Sequence, residues 1–332
     1  MSRLIAFNIK TGHVSILAKS LNQSLPNSSA RFNIGLSFVW SLHYHKPSKN
    51  LLMVDRVHGV IILNLVTGSE KIIGGTVEMS TNPNSQYEKH SIFSRPHGIC
   101  IKPNGNIIVA DTSNHMVKEI NSETFSVKVL AGKRKPGFSG DGNPSERSML
   151  ASPHDVASNK HGEVFIADTA NHKIRKIDSL GIINTIVGNT NSQNILTKDP
   201  SVPLKSSLRS PHSISFDNNS CLLISDTLNN RVCRVNFLKN TFETIAGKLL
   251  NEEKKGPCEN IYPHGTAVDQ ENNLLIADRD NNKIRFVKNN SSVIATLIGE
   301  TPSAKIFFPL DAPQAISTDL KENVFVIDSK NS

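Results

Sequence analysis

One short pattern recurs along the whole chain and limits what the chain can fold into. An aspartate ends a run of aliphatic residues at six places, 50 to 58 residues apart: Asp55, Asp111, Asp168, Asp226, Asp278 and Asp328. A proline stands 15 residues before five of these aspartates, and Trp40 stands there before the first. A repeat of this length predicts an array built from one supersecondary unit.

Each unit contains four short extended segments. A run such as GICI follows the proline, and after a turn such as PNGN a second run, such as NIIVAD, ends at the aspartate. A third run such as KIRKI and a fourth such as INTIVG complete the unit. Asn-Gly and related pairs favour tight hairpins, and helical periodicity is missing. The pattern therefore predicts an all-β propeller of four-stranded antiparallel blades.

We expect one propeller domain over residues 1–332 with six blades. The predicted blades span residues 38–75, 96–132, 153–188, 211–247, 263–299 and 313–332. The last unit contains only two strands, and residues 1–18 resemble the missing third and fourth strands. The N- and C-terminal strands are thus expected to share one blade, which leaves no open sheet edge in the ring. The rival interpretation is that the chain is part of a longer array.

The repeated motifs resemble those of NHL repeats. The shared pattern is Pro-x-Gly-Ile, then Gly-Asn before an apolar run, then Ala-Asp-Thr-x-Asn-His-x-Ile-Arg. The segment GFSGDGNPSERSMLASPHDVA is similar to the linkers of tandem NHL arrays, and the resemblance covers nearly the whole chain. The predicted blade 38–75 departs most, because VDRVHGVIIL lacks the Asn-His turn. The resemblance implies a propeller whose loop-bearing face binds proteins in some members and single-stranded RNA in others.

Basic residues are concentrated in the long connections between units. The formal net charge is +8, and these connections carry +5 of it by our count. The sharpest groups lie on two successive connections: Lys133, Arg134 and Lys135, then Lys198, Lys205 and Arg209. Loops on a rigid scaffold are the usual place for contacts, and a basic surface favours acidic partners. The leading hypothesis is a scaffold that binds a protein or another ligand through this basic loop face.

Single-stranded RNA is an alternative partner, but aromatic residues, which stack on bases, make up only 5% of the chain. The basic residues of the third strands repeat with the unit, so we expect them to be structural and to pair with the repeated aspartates between blades. They are Lys173, Arg175, Arg231, Lys283 and Arg285.

Histidine follows the repeated proline in four consecutive units: His97, His154, His212 and His264. Counting from the aspartates puts Ser41 and Gln314 at this place in the other two. Six equivalent positions predict a ring at one mouth of the central channel. Neutral imidazoles with an open position suit zinc, so a zinc-dependent lyase or hydrolase is an alternative function.

A family resemblance bears on this alternative. The peptide-amidating lyase resembles an NHL propeller and holds zinc with channel histidines, and Pro153-His154-Asp155 is similar to its Pro-His-Asp run. Against a metal site, the histidines could be a structural rim, and different blades could keep them too far apart to share an ion. On the leading hypothesis no cofactor is expected.

The remaining composition excludes several classes. An apolar run of about 18 residues is missing, as is a secretory leader, so we expect a cytoplasmic protein, and a monomer. The cysteines show no Cys-x-x-Cys spacing, and we expect buried reduced thiols: Cys100, Cys221, Cys233 and Cys258.

Overall fold

The computed structural model describes most of the chain. The described residues are 2–19, 32, 36–73, 93–188, 202–247, 260–291, 293–319 and 322–330. Lys198 and Cys258 lie outside them. Cys100, Cys221 and Cys233 are buried and form no disulfide within the described residues. In this part of the chain, no helix is long and apolar enough to cross a membrane.

Six antiparallel sheets form the blades, which confirms the predicted all-β propeller. Blade 1 consists of the strands Val39–His45, Asn50–Asp55, Gly59–Asn64 and Glu70–Ile73. Blade 2 consists of Ile99–Ile101, Ile107–Asp111, Met116–Ile120 and Val127–Gly132. Blade 3 consists of Asp155–Ser158, Val164–Asp168, Lys173–Ile177 and Ile182–Val187. Blade 4 consists of Pro211–Phe216, Leu222–Asp226, Arg231–Asn236 and Thr241–Gly247. Blade 5 consists of Pro263–Val268, Leu274–Asp278, Lys283–Val287 and Ile294–Ile298. Blade 6 consists of Pro313–Thr318, Asn323–Asp328, Arg3–Asn8 and Val14–Lys19.

Short additional elements lie beside the blade strands or between blades. The two-residue strand Asn143–Pro144 extends blade 3 at its outer edge. One-turn 3-10 helices follow the second strand of four blades or lie in the connections between blades: Thr112–Asn114, Ser145–Arg147, Thr169–Asn171, Pro203–Lys205, Thr227–Asn229 and Arg279–Asn281.

The apolar core lies between the blades. Each of six clusters of buried side chains joins two neighbouring blades, as where Phe165 of blade 3 packs edge to face on Phe216 of blade 4 at 5.0 Å between ring centroids. The second strands are buried on both faces and read as unbroken apolar runs for that reason. Because a single sheet could not bury both its faces, each blade depends on both of its neighbours.

The two ends of the chain share blade 6, as the matching half-units predict. Arg3–Asn8 pairs antiparallel with Asn323–Asp328, with Arg3 opposite Asp328. The guanidinium Nε of Arg3 donates a hydrogen bond to the buried Asp328 carboxylate at 2.8 Å. Blade 6 packs on blade 1 and on blade 5, which closes the ring.

Each repeated aspartate is fully buried and holds the start of its own blade. Its carboxylate accepts a hydrogen bond, 2.6 to 2.8 Å long, from a backbone N–H that precedes the first strand: that of Ser37, Ser94, Ala151, Arg209, Tyr262 or Asp311. In five blades a cation from the third strand pairs with the same carboxylate: Lys118, Arg175, Arg231, Arg285 or Arg3. In blade 1 the partner is His58.

The expectation that these ion pairs would join different blades is wrong. Arg231 lies directly opposite Asp226 on the neighbouring strand of one blade, so the pair forms inside that sheet. Arg175 likewise pairs with Asp168 inside blade 3. The cation neutralises a carboxylate that burial would otherwise destabilise.

Replacing Arg3 by Met tests the closure of blade 6. We expect R3M to lower the free energy of unfolding by about 3 kcal/mol, because it leaves the buried Asp328 without its cation. Urea unfolding followed by circular dichroism measures the change. Lys10→Met is the matched control, since Lys10 also pairs across the chain ends, with Glu322, but is largely exposed. A loss in R3M no greater than that in K10M would contradict this role of Arg3.

Candidate functional site

One face of the propeller brings together the features that the sequence singled out. Every first strand begins at this face, and every second and fourth strand ends there. We call it the loop face. Because the repeated histidines lie at the start of the first strands, the loop face also surrounds the channel mouth that they line.

The connection before blade 3 presents its basic cluster on a fixed framework. Lys133, Arg134 and Lys135 are all exposed. The Gly137 N–H donates to the Leu150 carbonyl at 3.1 Å, and the strand Asn143–Pro144 pairs with the outer strand of blade 3. These backbone contacts fix the connection, so the three cations project from an ordered loop.

An aromatic side chain lies next to this cluster. Phe138 is 42% exposed, and the Arg175 guanidinium lies over its ring at 4.8 Å from the centroid. Arg175 is itself fully buried and pairs with Asp141 at 2.8 Å, which ties the loop to the blade. Lys173 also lies over the ring, at 5.1 Å. Phe138 is therefore held in place by two cations of its own chain.

The connection before blade 4 adds more cations. Lys205 and Arg209 are exposed, and Leu204 beside them is 51% exposed. Lys198, predicted to belong to this group, lies outside the described residues. Within the described part of the chain, none of the five remaining cations forms an ion pair.

The position equivalent to the histidines in blade 1 belongs to Trp40, not to Ser41. The first hairpin of blade 1 is one residue longer than that of blade 4, because Tyr44 pairs with Leu51 where Phe216 pairs with Leu222. A count back from the aspartate is therefore displaced by one. Val39, not Trp40, faces the repeated aspartate, as Pro211 does in blade 4.

The six equivalent side chains form a ring that we call the collar: Trp40, His97, His154, His212, His264 and Gln314. Trp40 stacks on His97 with centroids 4.2 Å apart, and the successive histidines meet edge to face at 4.5 to 4.6 Å. The Nδ1 of His212 and the Nε2 of His264 share a hydrogen bond at 3.0 Å. Neighbouring blades thus bring successive collar residues into contact around the ring.

Backbone contacts between blades position the collar. The residue before the proline has a left-handed φ of 44° to 54° in four blades: Arg95, Ser152, Ser210 and Ala312. The Ser152 N–H donates to His115 Nδ1 of the preceding blade at 3.0 Å, and the Ser210 N–H does the same to His172. These bonds explain why the Asn-His turn after the second strand carries a histidine in blades 2 and 3. They hold an unfavourable backbone conformation that turns the next side chains into the channel.

The collar histidines are neutral at physiological pH. Burial lowers the pKa of His154 to about 4 and that of His212 to about 3, and neighbouring groups, His154 among them, add to the effect on His212. The pKa values of His97 and His264 are lowered well below the usual range for the same reasons. In the described residues, one hydrogen bond joins two collar imidazoles, that between His212 and His264, and the His154 Nδ1 is buried without a hydrogen-bond partner.

The collar does not fit a zinc ion. In the described residues, no group of three or more His, Cys, Asp or Glu side chains is arranged to hold a metal. Zinc requires three or four ligands at about 2.0 to 2.3 Å around one point. The imidazoles are instead directed at their neighbours around the ring, and two of the nitrogens are occupied by each other.

The channel encloses a cavity of about 270 Å³, lined by the first strands of all six blades. Its polar lining includes Asp155, His43 and several hydroxyl groups. Sequence reasoning did not single out Trp40, His43 or Asp155 as functional residues. The run Pro153-His154-Asp155 drew attention only to its histidine.

The collar predicts a pH dependence of stability. A histidine whose pKa falls on folding contributes full stability above its unfolded value of 6.5 and loses it as the pH falls toward the folded value, since the unfolded chain then binds more protons. We expect His154→Phe to remove this contribution. As the pH falls from 6 to 5, the wild type loses this contribution and H154F does not. The free energy of unfolding of H154F minus that of the wild type should therefore increase by about 1 kcal/mol over this interval.

Urea unfolding at pH 5, 6 and 7 measures the change. Trp40→Phe is the control, because it disturbs the packing of the collar without removing a titratable group. The comparison between variants cancels the opposite contribution of Asp155, whose pKa is raised to about 7 by burial. A stability difference between H154F and the wild type that does not change with pH would show that His154 is not held neutral by the fold.

Comparison with known proteins places these features in a family. Residues 132–206 match the Teneurin NHL domain, and residues 93–119 and 261–285 match the NHL repeat. The human NHL repeat-containing protein 2 is 26% identical over 289 residues, which are 74% of this chain and 39% of that protein. The chain therefore spans about two fifths of this relative's length.

Two further similarities involve lyases by name. A Caenorhabditis elegans protein described as a probable peptidyl-alpha-hydroxyglycine alpha-amidating lyase is 28% identical over 144 residues, 42% of this chain and 37% of that protein. A streptogramin B lyase structure superposes with a TM-score of 0.54 and 11% identity, covering 99% of this chain and 98% of that chain, and this shows the fold alone. The matched repeats and the closed ring of six four-stranded blades together make the chain an NHL-repeat β-propeller.

Proposed function

We propose that the propeller is a scaffold that binds a partner protein through its loop face. The observation that carries the proposal is the set of exposed cations without an ion-pair partner among the described residues: Lys133, Arg134, Lys135, Lys205 and Arg209. They lie on the described parts of two successive connections, close in sequence to the exposed side chains of Phe138 and Leu204. Cations next to apolar side chains on a rigid surface suit an acidic partner surface with an apolar centre.

A protein partner is favoured over single-stranded RNA by the state of the aromatic side chains. RNA-binding faces use open aromatic rings on which bases stack. The exposed ring beside the first basic cluster, that of Phe138, already contacts Arg175 and Lys173. The exposed rings of Phe38 and Phe307 lie on connections that carry none of the five cations. The nearby exposed apolar side chain, Leu204, is aliphatic and buries readily against protein.

The lyase or hydrolase alternative lacks comparable support. The alternative is a zinc-dependent enzyme, and the collar does not supply a metal-binding set among the described residues. The similarity to the amidating lyase covers 42% of this chain, and we do not extend that protein's activity to it.

Charge reversal of the sharpest cluster tests the proposal. We expect the triple variant Lys133→Glu, Arg134→Glu, Lys135→Glu to lose at least tenfold in partner affinity. Each new glutamate would face the acidic partner surface that the cation it replaces attracts. Affinity enrichment with quantitative mass spectrometry identifies the protein retained by the wild type. Titration of that purified protein then gives the dissociation constants.

The matched control reverses the same charge on the opposite face. Lys46, Lys49 and Lys160 are exposed in hairpins between first and second strands, and their triple Glu variant should bind as the wild type does. Equal losses in both variants, or a partner bound equally by all three proteins, would refute binding through the loop face.

A labelled single-stranded RNA 12-mer tests the competing partner directly. Four phosphate contacts would reduce its affinity about 50-fold between 50 and 200 mM salt, at a slope of about −0.7 per contact. We expect only weak binding to this probe. Tight binding with that salt dependence, lost in the loop-face variant, would replace the protein partner with RNA.

A further inference from the structure

We propose that the central channel binds a small organic amine, as its ammonium ion, on the carboxyl group of Asp155. This site is separate from the basic loop face and does not depend on the function proposed for it. The proposal rests on the geometry of one buried acid, on the cavity beside it and on the absence of any neighbouring cation in the described lining.

The cavity has the size of a site for a small molecule. Its volume of about 270 Å³ lies near the lower end of the roughly 300 to 1,000 Å³ typical of ligand pockets. It corresponds to on the order of nine water molecules at their liquid volume. A ligand with an ammonium group and a short apolar body therefore fits.

Asp155 is the only carboxyl group among the described residues that line the cavity. It is 9% exposed and bridges two blades: Oδ1 accepts from the Val156 N–H and Oδ2 from the Ile214 N–H, each at 2.9 Å. The Ser213 hydroxyl also donates to this carboxylate. A carboxylate has about four lone-pair positions, so these three bonds leave about one acceptor position.

Asp155 lacks the basic partner that each of the six repeated aspartates has. Each repeated aspartate has a Lys, Arg or His partner at 3.4 Å or less, whereas no described residue forms an ion pair with Asp155. The described lining contains no Lys or Arg at all. Burial accordingly raises the pKa of Asp155 to about 7, although its hydrogen bonds oppose the rise.

The other groups of the cavity suit an ammonium ion better than an anion or a divalent metal. An anion would find no cation, because the lining histidines are neutral: burial lowers the pKa of His43 to about 4, as it does for the collar. A divalent metal would find no set of three ligands in the described residues. An ammonium group donates three hydrogen bonds, and the cavity lining offers further hydroxyl acceptors on Ser41, Ser215 and Thr266, the last two of which hydrogen-bond each other at 3.1 Å. Tyr44 and Phe216 offer apolar surface for the ligand's body.

Binding should increase with pH because Asp155 must ionise. The other titratable groups of the lining stay uncharged between pH 6 and pH 8, since burial raises the pKa values of the Cys100 thiol and the Tyr44 phenol. The lining imidazoles, whose pKa values are lowered, are His43, His97, His154, His212 and His264. A pKa of about 7 therefore predicts about tenfold tighter amine binding at pH 8 than at pH 6.

The test uses three probes of one shape: butylammonium, butan-1-ol and butyrate. Ligand-observed NMR titration of the full chain gives their dissociation constants at pH 6 and pH 8. We expect butylammonium to bind the wild type at pH 8 at least tenfold more tightly than butan-1-ol, and butyrate not to bind. Equal affinity for the amine and the alcohol at pH 8 would overturn the proposal without any variant.

The variant Asp155→Asn assigns the selectivity to this carboxyl group. It keeps the shape of the side chain, and we expect it to bind the amine and the alcohol equally. Asp280→Asn is the matched control, since Asp280 is an exposed aspartate outside the cavity, and it should retain the preference. Circular dichroism and thermal unfolding establish that the variants are folded. Amine selectivity retained by folded D155N would refute the assignment to Asp155.

Discussion

A buried carboxylate at the end of each second strand is the contact on which the rest of the propeller depends. It accepts the backbone N–H that begins its own blade, and in five blades it is neutralised by a cation from the adjacent strand. Hydrogen bonds to a charged group contribute about 1.5 to 3 kcal/mol each. Because this bond fixes where the first strand starts, it also fixes the left-handed residue and the collar side chain that follow. The same acid therefore determines both the stability of a blade and the shape of the channel mouth.

Much of the fold could be predicted because the repeat encodes it locally. Tight turns and apolar second strands recur in every unit, a fixed spacing from proline to aspartate recurs in five of the six, and two half-units identify the shared blade. The position of Trp40 could not be predicted, because one additional residue in the first hairpin of blade 1 is invisible to a count made from the aspartate. The contacts between histidines were also beyond prediction, since the width of a channel depends on how six sheets tilt and pack together.

The candidate sites show why residue type alone is a weak guide to function. Arg175 and Arg134 are both basic residues near the same loop, yet one is fully buried in an ion pair and the other is exposed. Asp155 differs from the repeated aspartates only in what surrounds it. An unmatched charge is a property of the folded neighbourhood, and a pattern of residues along the chain does not contain it.

The shared blade also determines how the propeller resists mechanical force. Arg3 lies opposite Asp328 at the edge of the ladder where both chain ends leave the sheet. A tension that draws the two ends apart would first load this pair and the bonds of Ser2 and Lys330 beside it, and the strands would separate by unzipping one hydrogen bond after another. Strands loaded lengthwise would instead share the force across all their bonds. Mechanical opening of the ring would therefore begin at this end of the ladder, around the Arg3–Asp328 ion pair.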